Sequence, residues 1–112
     1  MGVYNASAAC RVAPDKLPAA PRHTLIVMAL MSLDASTERQ QARVYYGGWQ
    51  MCCIRMGLLP SDDMRRRFVR DIATLRKLGI VETLEPGFRG HTASYRLILP
   101  VDNSLDFVDN GE

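Results

Sequence analysis

A chain of 112 residues has the length of one domain, and 47% hydrophobic content supplies one modest core without a metal or disulfide staple. The longest apolar run, Leu25 to Met31, has seven residues, far short of the ~20 that a membrane span requires. Net charge is only +2, but residues 39–96 hold eleven Arg or Lys against five Asp or Glu, while 101–112 hold four acids and no base. That segregation fits a polyanion partner for the basic body, and equally a solvated surface with a solubilising tail.

The N-terminus lacks a basic segment followed by an apolar run and a cleavage site, so no secretory signal is expected. Of the three cysteines, Cys52 and Cys53 are adjacent, no C-x-x-C pair exists, and His23 and His91 are far apart in sequence. Neither a zinc site nor another cofactor is expected. A reducing, cytoplasmic setting with Cys52 and Cys53 as small buried apolar residues is the simplest reading.

Residues 1–17 are small and polar without sustained periodicity, and read as a flexible arm that orders only against the body. Pro14, Pro18 and Pro21 follow closely, and Pro21 suits the first turn of a helix. From about Arg22 to Leu33 the sequence is apolar on every side, which predicts a helix at the centre of the domain. Asp34 to Gln41 is polar and reads as a connecting loop or a short extra turn. Ala42 to Tyr46 alternates and carries β-formers, predicting a short strand.

Gly47-Gly48 opens a short helix in which Trp49, Cys52, Cys53 and Met56 recur at three- and four-residue steps. The turn Gly57-Leu58-Leu59-Pro60 joins it to a second helix over Ser61–Gly79, a helix-turn-helix pattern. Ser61 is placed to cap that second helix, with Asp62 and Asp63 in its first turn, Arg76 and Lys77 in its last, and Gly79 to end it. On a wheel of about 100° per residue, Met64, Phe68, Ile72, Leu75 and Leu78 share one side, and Arg66, Arg70 and Lys77 lie opposite.

Ile80 and Val81 begin a strand, the tip Pro86–His91 is turn-rich, and Ser94 to Leu99 alternates Tyr95, Leu97 and Leu99 against Ser94, Arg96 and Ile98. These make a β-hairpin. The predicted fold is mainly α with a small β-hairpin: a three-helix core plus wing over residues 18–100, with an acidic tail over 101–112.

With these pieces in place, the chain resembles winged helix-turn-helix proteins of actinobacterial phages and other mobile elements. The resemblance is carried by MALMSLDAS in the first helix, VYYGGWQMCCIRMGL into the second, and RRFVRDIATLRKLGIVETLEPGFRGHTASYRLIL through the third helix and wing. It spans roughly residues 17–99. The aromatic-Gly-Gly-Trp step and the aromatic-Arg-Leu ending are its more distinctive marks. What it implies is a small DNA-binding protein serving transcription regulation, replication or excision.

In such a fold the last helix enters the major groove, where arginine grips guanine O6 and N7 with two parallel bonds. Arg66 and Arg70, four apart on the outward side, are the expected base readers. Arg65 and Arg67 share the DNA-facing first turns and are expected at the interface too, Arg67 either holding a phosphate or pairing with Asp71, and Arg65 nearer the apolar side with its stem spread over the core edge. Lys77 would meet the DNA backbone. Arg89 at the hairpin tip is expected at a phosphate or the adjacent minor groove, assisted by His91 and Thr92, with Gln50 and Tyr46 as further phosphate donors.

The chain has no Gly-rich phosphate loop and no Ser or Cys with a His at a nucleophile's spacing, so no enzymatic activity is expected. The expected partners are double-stranded DNA, a second copy in a homodimer and a protein that receives the acidic tail, with no membrane. A protein-interaction adaptor without a DNA-binding role is the alternative. A tail folded over its own basic face is a further one.

Overall fold

The computed structural model describes residues 3–32, 42–87 and 92–99. Its centre is α2 (Ala19–Met31), with Leu25, Met28 and Ala29 buried completely. A helix apolar on most sides must be covered on most sides, and in α2 only Ala19, Ala20, His23 and Leu30 are exposed. α2 accordingly packs against α1 (Val3–Arg11), α3 (Gly48–Arg55), α4 (Asp62–Lys77) and β1 (Val44–Tyr45). Pro21 sits in its first turn, as expected.

The first correction is at the N-terminus. Residues expected to form a flexible arm instead include the nine-residue helix α1, docked on α2. Asn5, Ala8, Ala9 and Val12 recur at three- and four-residue steps and are all buried. The alanines let the two helix backbones approach closely. Asn5 Nδ2 donates to Ser32 Oγ at 2.9 Å, and Ser32 Oγ donates in turn to the Ala29 carbonyl at 2.8 Å. The Arg22 guanidinium closes the other end, donating to the carbonyls of Ala9 and Cys10 at 3.2 Å and of Ala13 at 3.0 Å. The carbonyls of Ala9 and Cys10 belong to the last turn of α1, and that of Ala13, which also accepts from the Lys16 and Leu17 amides, to the turn that follows.

β1 is a two-residue strand paired with β3 (Ser94–Leu97), which also pairs with β2 (Val81–Glu85). The result is a three-stranded antiparallel sheet in the order β1-β3-β2. Val81 faces Leu97 and Thr83 faces Tyr95, with a register shift between Thr83 and Glu85. The β2–β3 hairpin was legible from its alternation. The addition of β1 to its far edge brings the chain before α3 onto the same sheet.

The two helices of the central hairpin end alike. After α3, the Leu58 amide donates to the Cys53 carbonyl and the Gly57 amide to that of Ile54. After α4, the Ile80 amide donates to Leu75 and the Gly79 amide to Arg76. Each pair is a Schellman closure around a left-handed glycine, with φ of 82° at Gly57 and 75° at Gly79. α4 begins at Ser61, whose Oγ accepts from the Met64 amide at 3.2 Å. Leu78, expected on the inner stripe, is partly exposed because it is the C-cap, where the helical periodicity has ended. Among the described residues no helix is long and apolar enough to cross a membrane.

Candidate nucleic-acid interface

α4 is the most sharply two-sided element of the chain. Phe68, Asp71, Ile72 and Leu75 are buried on its inner side, while Arg65, Arg66, Arg70 and Lys77 are exposed. The ring of Phe68 meets Tyr95 of β3 edge-on, with centroids 6.2 Å apart, which sets the helix against the sheet. At the far end, Arg76 Nη2 donates to Thr83 Oγ1 of β2 at 2.8 Å. These two contacts fix how α4 is rotated, and so which arginines project into solvent.

The four neighbouring arginines have different surroundings. Arg66 Nη1 lies 3.2 Å from Asp63 Oδ1, but both side chains are largely exposed. Such a surface pair contributes little, about 0–1 kcal/mol, and leaves the guanidinium free to exchange Asp63 for another anion. No ion pair of Arg70 or Arg65 is found among the described residues. Arg67 turns inward: its Nε lies 3.6 Å from Asp71 Oδ2 and has no acceptor within hydrogen-bond distance. Of its two expected roles, the geometry favours the pair with Asp71. Asp71 is only 4% exposed and accepts a hydrogen bond of 2.6 Å from the Thr24 hydroxyl of α2. An acidic residue mid-helix between inward-facing Phe68 and Leu75 was the sequence signal for this buried polar contact.

A groove of about 590 Å³ runs between α4 and the end of the hairpin nearest its turn. Arg65 and Val69 line its helical wall, and Thr92, Ala93 and Tyr95 line the opposite one. Trp49 and Phe68 also contribute to it. Val69, passed over in the sequence, is 59% exposed one helical turn beyond Arg65. Its i,i+4 spacing from Arg65 was the available signal.

The Gly-Gly-Trp step explains how α3 meets this groove. A Cβ on Gly47 would lie 2.6 Å from Tyr45 Oη, so only glycine lets the chain pass over that ring. Tyr45 Oη donates to the Gly48 carbonyl at 2.6 Å, and burial pushes its hydroxyl pKa well above the usual phenol range. Thr92 Oγ1 donates to the Tyr46 carbonyl at 3.0 Å, tying the start of the last strand to the chain entering α3. Thr92 therefore spends its hydroxyl proton inside the protein. Gln50 and Tyr46 are both exposed. Arg89 and His91, expected at the hairpin tip, lie outside the described residues.

Chemistry of other kinds finds few groups here. Burial, reinforced by charge on Cys53, raises the Cys52 thiol to about 12, far from a reactive thiolate. Among the described residues no group of three or more His, Cys, Asp or Glu could hold a metal ion. Comparison with protein-family models, with curated proteins and with solved structures finds no match to this chain.

Proposed function

We propose that this chain is a winged helix-turn-helix protein that binds duplex DNA, with α4 in the major groove and the β2–β3 hairpin as the wing. The carrying observation is that the exposed Arg66 and Arg70 lie on the side of α4 opposite its buried stripe, while Arg65 opens into the groove shared with the turn end of the hairpin. The element order supports the reading: a central helix, a short strand, two helices with a tight turn, then a hairpin whose last strand lies between the other two.

Arg66 and Arg70 read guanines as bidentate donors. Arg65, Lys77 and Gln50 hold phosphates and set the register. Val69 lies between the two readers in sequence and offers an apolar contact for a thymine methyl. Arg67 holds α4 on α2 through Asp71 rather than reading a base. The biological role in this reading is that of a regulator, or of a replication or excision accessory, of a phage or mobile element.

Selection of bound duplexes from a random pool tests it. A short guanine-containing consensus is expected, with discrimination at its guanines weakened in Arg66→Ala or Arg70→Ala. Recovery of no duplex, or of one consensus unchanged in both variants, would refute the assignment.

A further inference from the structure

We propose that the C-terminal segment of this chain, residues 101–112, seats Phe107 in the groove between α4 and the turn end of the hairpin and brings a carboxylate to Arg65. Three aromatic rings line that groove, Trp49 of α3, Phe68 of α4 and Tyr95 of β3, and Val69 adds an exposed aliphatic wall. Among the described residues that line it, Arg65 alone is charged. It is exposed and has no ion pair among the described residues. An aromatic side chain beside an acid therefore complements the site twice, by burial against the rings and by charge at the rim.

The C-terminal segment has that composition. Asp106 and Asp109 flank Phe107, and the whole segment carries four acids and no base. Its reach is sufficient. Leu99, the last described residue, is buried at the end of the hairpin away from the turn. It stands four residues from Tyr95, at most about 14 Å, while the eight residues from Leu99 to Phe107 span up to about 28 Å. A short tether also holds the segment near its own groove at an effective concentration on the order of millimolar, ahead of the same segment from a second copy.

Phe88 is nearer in sequence, one residue past Gly87 of the groove wall. It carries Arg89 beside it, however, and a second guanidinium next to Arg65 is repulsive where a carboxylate is attractive. The observations thus favour Phe107. A seated segment takes Arg65 away from any other polyanion. Only this consequence rests on the reading of duplex binding; the docking itself does not.

Nuclear Overhauser contacts in the full-length chain test the docking, and the Phe107 ring should lie against the Trp49 ring and the Val69 methyls. Trp49 is the only tryptophan, so its fluorescence reports on the groove. Phe107→Ser, which keeps every acid, should move Trp49 emission to longer wavelength, and so should Arg65→Gln, at every protein concentration alike. An unchanged far-ultraviolet circular dichroism spectrum excludes a folding defect. Phe107→Ser should also bind duplex DNA at least about threefold more tightly than the parent, the gain when a segment seated about two-thirds of the time is released. Absence of the Phe107 contacts, an emission shift produced by Phe88→Ser and not by Phe107→Ser, a shift that varies with protein concentration, or equal duplex affinity would each overturn the proposal. If neither chain retains duplex, the DNA-binding reading fails, and the Phe107 contacts and Trp49 emission still decide the docking.

Discussion

Replacing Asp71 by alanine should cost this protein far more than an ordinary mid-helix substitution. The carboxylate is 4% exposed, accepts from the buried Thr24 hydroxyl at 2.6 Å and lies 3.6 Å from Arg67 Nε. Its removal leaves a hydroxyl without an acceptor, worth about 1–3 kcal/mol. It also strips a partly buried guanidinium of its anion. Breaking a buried pair from one side costs about 3–5 kcal/mol, but the Arg67 side chain is 25% exposed and water screens part of the loss. A total of about 3 kcal/mol follows, a large share of the roughly 5–15 kcal/mol that holds a domain together. Urea titration should show a lower midpoint at constant slope, and Tm should fall by about 10 °C. Thr24→Val alone should cost about 1 kcal/mol, because the carboxylate keeps its cation. The triple variant Thr24→Val, Arg67→Met, Asp71→Leu should recover most of the loss, since no polar group is then stranded. If Asp71→Ala stays within about 0.5 kcal/mol of the parent, this contact does not hold α4 on α2.

Three further outcomes test other parts of the structure. Arg22→Ala should release α1, seen as faster amide hydrogen exchange along α1 and in the turn after it, and Arg22→Lys should not restore protection because an ammonium lacks the planar fork; unchanged exchange would mean that α1 docks without it. Gly47→Ala should destabilise more than Gly79→Ala, since the first drives a Cβ to 2.6 Å from Tyr45 Oη and the second meets open space and costs only its left-handed φ, about 1–2 kcal/mol; chemical denaturation that ranks them in reverse contradicts the Tyr45 contact. Stability should be independent of Cys52 below about pH 8.5 and fall above it, because the unfolded thiol ionises there while the folded one holds its proton to about pH 12. The buried Tyr45 hydroxyl adds to the fall above about pH 10; urea midpoints flat between pH 8 and 11 would show that neither group is shielded as described.

Much of this fold was legible in the sequence because its signals were local. Ser61, the two aspartates and Gly79 bracket α4 by capping and charge, and the helix runs Asp62–Lys77 between them. The apolar run around Leu25 gave a central helix, and alternation gave the hairpin strands. α1 was missed because its buried side is built of Asn5 and alanines, which leave no strong apolar period; only Arg22 and Ser32, distant in sequence, reveal its partner. The pairing of β1 with β3 joins residues about fifty apart, and nothing local to Val44 announces it. At the candidate interface, the outward row followed from the helical wheel. The inward turn of Arg67 depends on Thr24 and Asp71 meeting across two helices, which periodicity alone does not settle.

The central claim is that the exposed arginines of α4 grip duplex DNA, and its most direct test is binding of the parent and of an Arg66→Ala, Arg70→Ala variant to duplex across a range of salt. The parent should lose affinity steeply, with a log–log slope of about −0.9 per phosphate neutralised. The variant should bind the parent's preferred duplex at least about thirtyfold more weakly, at about 1–3 kcal/mol for each arginine lost. A chain that retains no duplex even at low salt, or a variant that follows the parent at every salt concentration, contradicts the claim.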